Sequence, residues 1–205
     1  MIIPTILEKT WEEIETKLEI YKNFASTVHV DFIDGKFAPE TTFLDPEPFS
    51  KYSKYFKLEA HLMTDEPIFY LRKLADAGFK TFLGQIERMN DQTEFVTKGQ
   101  ELGSVGLALD IETPVDSIKV PLEDLDQILL MDIIAGASGR PFDERVLPKI
   151  KSLFDQSFSN IEVDGGVNDQ TLPQLKNTGA NMFCVNSFLF RGDPEKQFRL
   201  LQEML

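Results

Sequence analysis

Two imidazoles are all that the 205 residues contain, His29 and His61, and each sits in a short β-type run beside a carboxylate. The first run is Val28-His29-Val30-Asp31-Phe32-Ile33-Asp34-Gly35 and the second is Leu58-Glu59-Ala60-His61-Leu62-Met63. Residues two apart on a strand point to the same face. His29 therefore projects with Asp31, and Glu59 projects with His61. An imidazole beside a carboxylate, with a second imidazole nearby, is how proteins assemble a divalent-metal site. The alternative is a pair of hydrogen-bonded strand histidines with no ligand.

The elements needed to position these residues recur along the whole chain. Short apolar runs over residues 2–7, 26–32, 57–63, 80–86, 104–111, 127–134, 160–164 and 181–186 read as strands. Amphipathic stretches over 11–24, 66–77, 91–102, 114–125, 142–154, 170–177 and 194–205 read as helices, with a loop over 35–48 followed by a short helix. Eight strands alternating with helices and no linker favour a single (β/α)8 barrel, a TIM barrel spanning 1–205, over an open doubly wound sheet. In such a barrel the site forms at the C-terminal strand ends. Asp31, His61, Gln85, Asp110, Asp132, Asp164 and Asn186 all fall there. His29, Asp31, His61 and Asp164 together offer two nitrogen and two oxygen ligands, suited to zinc, iron or manganese. Asp31 and Asp164, on strands two and seven, can face each other across the barrel. A metal that polarises a ketone and its neighbouring hydroxyl stabilises an enediolate. One carboxylate can then take the proton α to the carbonyl while the other returns one to the opposite face. That inverts a stereocentre with no redox cofactor.

Composition narrows the classes of partner. A formal charge of −13 argues against nucleic acid or an anionic membrane. One cysteine, Cys184, excludes an internal disulfide and fits a reducing compartment. No apolar run approaches the roughly 18 residues of a membrane span, and no basic leader precedes the first strand, so a cytoplasmic protein is expected. The aromatics Phe43, Phe49, Tyr52 and Tyr55 suggest either a homo-oligomer interface or a cover over the barrel, and a homo-oligomer is expected.

With these residues in place, the sequence resembles the ribulose-phosphate 3-epimerase family over almost its whole length. The segment from His29 to Pro39 is similar to the family's His-x-Asp-x-Met-Asp-Gly-x-Phe-x-Pro signature, His61-Leu62-Met63 to its His-Leu-Met, and Val163-Asp164-Gly165-Gly166-Val167 to its Val-Asp-Gly-Gly. The resemblance implies one divalent metal on His29, Asp31, His61 and Asp164, with Asp31 and Asp164 as the acid/base pair. It implies D-ribulose 5-phosphate and D-xylulose 5-phosphate as default substrates. Thr5 stands for the family's first-strand Ser, and Met63 and Met131 match two methionines that line its site.

The departures concern how substrate is held. The family's phosphate loop, close to Asn-Pro-Gly-Phe-Gly-Gly-Gln, is here Ile134-Ala135-Gly136-Ala137-Ser138-Gly139-Arg140. Gly136 and Gly139 are kept. Ser138 is a further candidate, and Arg140 is either a bidentate phosphate ligand or a solvated loop charge. Gly165 and Gly166 are intact, while the family's Gly-Ser after the last strand is Asn186-Ser187. The family's Met between the two aspartates is Ile33, its strand-four His is Gln85, its strand-five Asn-Pro is Asp110-Ile111, and its strand-six Thr is Asp132. Asp110 and Asp132 place negative charge where an anion would enter unless they are protonated, paired or turned aside; each unpaired contact at about 4 Å would cost on the order of a few kcal/mol. Two alternatives follow: an epimerase of another sugar phosphate such as allulose 6-phosphate, or a barrel that binds without turnover. The Asp-x-Lys-x-x-Asp motif of a related group of decarboxylating and condensing barrels is absent, because Asp31-Phe32-Ile33-Asp34 has no such lysine.

Overall fold

The computed structural model describes residues 1–136 and 141–205. Eight parallel strands close on themselves in sequence order: β1 (Ile2–Ile6), β2 (Thr27–Ile33), β3 (Lys57–Met63), β4 (Phe79–Gln85), β5 (Ser104–Leu109), β6 (Gln127–Met131), β7 (Ile161–Asp164) and β8 (Met182–Val185), which pairs back onto β1. Among the described residues six α-helices surround them: α1 (Trp11–Tyr21), α2 (Leu71–Asp76), α3 (Gln92–Gln100), α4 (Val146–Asp155), α5 (Leu172–Thr178) and α6 (Pro194–Glu203). The (β/α)8 expectation holds, with two of the seven strand-to-strand crossovers lacking an α-helix.

One of those two is the stretch 114–125, read from the sequence as a helix. It forms only two 3-10 turns, Val115–Ser117 and Leu122–Asp124. Pro121 supplies no N–H and disfavours helical backbone at Val120, so the periodic segment is cut before it completes three turns. The other, after the long loop, is the 3-10 segment Glu47–Tyr52. Strand β6 also stops at Met131, three residues earlier than the apolar run suggests.

Alternation on the strands separates two buried layers. Val28, Val30 and Phe32 of β2 and Leu58, Ala60 and Leu62 of β3 pack outward against the helices. Ile33, Met63, Leu83, Ala108, Leu129 and Met131 fill the barrel interior. Both faces are buried, which is why the strands read as continuous apolar runs interrupted by single polar residues. The outer layer takes in two of the aromatics considered as an interface. Phe49 and Tyr52 are buried, and Trp11 meets Phe49 edge-on at 5.1 Å; of the four only Tyr55 is largely exposed, at 47%. Helix α1 is held at its start by a reciprocal cap between Thr10 and Glu13, which fixes the face it turns towards the barrel mouth.

Candidate active site

Register places the chemistry. Between β2 and β3, His29 pairs with Glu59, Asp31 with His61 and Ile33 with Met63. Thr5 of β1 lies level with His29, and Met131 of β6 lies level with Asp164 of β7. The inward side chains therefore stack as two polar tiers under an apolar rim.

The lower tier is a closed hydrogen-bonded network. His29 Nδ1 lies 2.7 Å from Glu59 Oε1 and 3.2 Å from Glu162 Oε1. Gln127 Nε2 donates to Glu59 Oε2 at 2.8 Å and to Glu162 Oε2 at 2.6 Å, and Cys184 Sγ donates to Glu162 Oε1 at 2.7 Å. Burial and the Glu59 charge push the Glu162 carboxyl up to about 8, while His29 holds Glu59 below the ordinary glutamate value against the effect of burial. One negative charge is thus shared between two carboxylates, and a protonated Glu162 is the arrangement that fits. None of Glu162, Gln127 and Cys184 stands out in the sequence as part of a site, and Glu59 stands out only as the neighbour of His61.

The upper tier holds His29, Asp31, His61 and Asp164, which each bring a ligand atom within 4.8 Å of the others. His61 Nδ1 is 2.8 Å from Asp31 Oδ1, and His61 Nε2 is 3.5 Å from Gln85 Oε1. His29 Nε2 is fully buried, 3.3 Å from Asp31 Oδ1, and has no hydrogen-bond partner. An orphaned imidazole nitrogen in a closed site costs free energy unless something binds it. With Nδ1 turned to a carboxylate below, Nε2 faces the upper tier, the usual orientation of a metal-ligating histidine, and would offer its lone pair to a cation there on giving up its proton. The four residues fit a divalent cation.

The two aspartates sit in opposed environments. Burial would raise Asp31, but the His29 and His61 imidazoles outweigh it and hold its carboxyl well below the usual range. Burial and the Asp31 charge push Asp164 up to about 6. Such a split within one site separates a resting base from a resting acid.

Above the aspartates opens a cavity of about 390 Å³. Of the residues expected at the site, Thr5, Asp31, Met63, Met131, Gly136, Asp164, Gly165, Asn186 and Ser187 line it. Glu8, Lys17, Ile133 and Phe190 line it too and were not anticipated. Ser138, Gly139 and Arg140 lie outside the described residues. The Gly166 N–H does not face the opening, because it donates to Asp132 Oδ1 at 2.6 Å. Gly165 has φ +142, and a Cβ there would stand 1.9 Å from Asp132 Oδ1, so the chain passes too close for any side chain.

The two acidic residues expected to burden the mouth do not. Asp132 is wholly buried beneath the Gly165-Gly166 turn, and burial pushes its carboxyl up to about 7. The Asp110 carboxylate accepts from the Ala135 N–H at 2.8 Å and from the Glu112 N–H at 3.2 Å. Neither lines the cavity. Strand-end position showed where these residues start and not which way their side chains turn.

Comparison with known proteins agrees with this geometry. The chain is 31% identical over 203 residues to ribulose-phosphate 3-epimerase of Schizosaccharomyces pombe, covering 96% of this chain and 89% of the yeast protein. It is 31% identical over 206 residues to the enzyme of the same name from Bacillus subtilis, covering 96% and 94%. Its fold is similar to 3-keto-L-gulonate-6-phosphate decarboxylase from Vibrio cholerae, with a TM-score of 0.71 at 13% identity over 99% of this chain and 95% of that one. The model of the ribulose-phosphate 3 epimerase family matches residues 1–190, and the chain belongs to that family.

Proposed function

We propose that the chain inverts C3 of a ketose phosphate, with D-ribulose 5-phosphate and D-xylulose 5-phosphate as the pair interconverted. Family membership makes it a carbohydrate epimerase; the substrate and the roles below rest on the site. The observation that carries the reading is the pair Asp31 and Asp164, which come from β2 and β7, line one cavity and bring their carboxylates together with His29 and His61.

Asp31, kept ionised by its imidazole neighbours, takes the C3 proton from one face of the ketose. Asp164, which holds a proton most readily, delivers one to the other face. In the reverse direction the roles exchange, so each turnover leaves the pair ready for the opposite substrate. His29, Asp31, His61 and Asp164 would hold one zinc, iron or manganese ion, whose chemistry is to withdraw charge from the C2 carbonyl oxygen and the C3 hydroxyl. Met63 and Met131 wall the cavity with apolar surface. They limit water near C3 while the carbon carries excess charge, which otherwise invites loss of stereochemical control. Gly136, Gly165, Ser187 and the segment 138–140 are assigned to the phosphate end.

The test is wash-in of deuterium at C3 in heavy water, with the protein reconstituted with zinc, manganese or iron after chelation. Exchange on both pentulose phosphates, lost with the chelator and restored by the ion, is the expected result. If neither substrate exchanges at C3 with any of the three ions, the assignment of substrate is wrong. Exchange on a hexulose 6-phosphate alone would keep the chemistry and move the specificity.

A further inference from the structure

The phosphate end of the cavity holds a cation that no family signature supplies. Lys17 projects from α1 and is the only lysine or arginine among the described residues lining the cavity. Its ammonium donates to Asn186 Oδ1 at 2.8 Å, lies 4.7 Å from the centre of the Phe190 ring, and is ion-paired with Glu8. Both ion-pair partners have side chains only 16% exposed. Glu8 is itself tied down, because its Oε2 accepts the Leu7 N–H at 2.8 Å.

The location decides what this pair is for. In barrels of this architecture the loops after strands seven and eight form the anion end of the cavity. Asn186 and Ser187 follow β8, and Gly165 follows β7. The Asn186 contact therefore puts the ammonium at that end. The Gly166 amide, which could otherwise serve an anion, is already taken by Asp132. The cavity thus offers fewer free backbone donors than its glycines suggest and, among the described residues, one largely buried side-chain cation.

Building on the reading of the chain as a ketose-phosphate epimerase, we propose that Lys17 is a side-chain ligand of the substrate phosphate and that Glu8 holds its charge when the site is empty. Glu8 neutralises an ammonium that would otherwise be poorly solvated, and it opposes the incoming dianion. Lys17 and Glu8 then set phosphate affinity with opposite signs. A purely structural ion pair behaves differently: removing either partner disturbs the same contact in the same direction.

The test is direct titration of the intact protein with inorganic phosphate, read by calorimetry, alongside KM and kcat for the pentulose phosphate. Lys17→Met should weaken phosphate binding by about tenfold or more, the loss expected for one charge-assisted contact. It should raise KM far more than it lowers kcat. Lys17→Arg should keep affinity within about threefold, since the guanidinium preserves the charge. Glu8→Gln should tighten phosphate binding. Unchanged affinity in Lys17→Met, or a loss in both Lys17→Met and Glu8→Gln, overturns the proposal, and so does a wild-type protein that binds no phosphate at millimolar concentration. Because binding is read without turnover, failure to exchange at C3 with phosphate binding intact would sink the epimerase substrate and leave the Lys17 assignment standing.

Discussion

Asp132 offers a thermodynamic test of the buried architecture behind the site. Its carboxyl is pushed up to about 7 by burial, with the Asp164 and Asp143 charges adding to the shift and the Gly166 N–H opposing it. In the unfolded chain an aspartate titrates near 3.9. Between those values the folded state binds more protons than the unfolded one, so stability falls as pH rises, and the loss is complete only above the folded value. Asp132→Asn removes the titration while keeping an oxygen for Gly166. The variant still buries a second polar atom where Oδ2 has no partner, at a cost that does not depend on pH. The difference in stability between variant and wild type should therefore move in the variant's favour between pH 5 and pH 8. Two pKa units at about 1.4 kcal/mol each give about 2–3 kcal/mol. For a domain of this size that is a relative gain of about 5–10 °C in Tm. Trp11, the single tryptophan, packs against Phe43, Phe49 and Tyr52 and reports unfolding by fluorescence. The measurement belongs in chelator, since a cation on Asp164 would weaken the repulsion that helps to raise Asp132. A constant offset at the two pH values would refute the reasoning, because it would mean that Asp132 is ionised in the folded protein throughout.

Three further substitutions probe neighbouring parts of the site. Asp164→Asn should lower kcat by about 100- to 10,000-fold, the usual worth of a positioned acid or base, with the far-ultraviolet circular dichroism unchanged; surviving activity would remove it from the acid/base pair. Glu59→Gln should weaken binding of the divalent ion by about 10- to 100-fold, measured by competition with a chelating dye, because the partner that orients His29 loses its charge. Gly165→Ala should destabilise the protein by about 1–3 kcal/mol in chemical denaturation, since a non-glycine residue is strained at φ +142 and its Cβ collides with Asp132.

The order of the strands and the membership of the upper tier were legible because both follow from period. His29 and Asp31 share a face by alternation, and the parallel register then sets Asp31 opposite His61. Asp132 and Asp110 could be placed at strand ends but not oriented, since both follow the last residue of a strand, where alternation no longer fixes direction. Phe49 and Tyr52 could be read as an interface or as a cover over the barrel, because a helix this short does not show which face it buries. They are buried by Trp11 and the barrel wall, a contact between elements distant in sequence. Lys17 gave no signal at all. A lysine on an amphipathic helix reads as solvated, and only the closure of β8 onto β1 brings α1 alongside Asn186.

His29 joins folding to chemistry in a way that neither tier reveals alone. Its Nδ1 edge completes a network in which Glu59 and Glu162 would otherwise have only the neutral donors Gln127 and Cys184, and its Nε2 edge faces Asp31. A buried charge left without its partner is costly, so the lower tier requires an imidazole at position 29 whether or not a metal binds above. That requirement fixes the ring with one nitrogen outward before any ligand arrives. His61 is held differently, by Asp31 and a longer contact to Gln85, both within or beside the upper tier. The barrel thus holds one imidazole through a network below the site and leaves the other to be set by the residues of the site, with Asp31 between them, 3.3 Å from His29 Nε2 and 2.8 Å from His61 Nδ1.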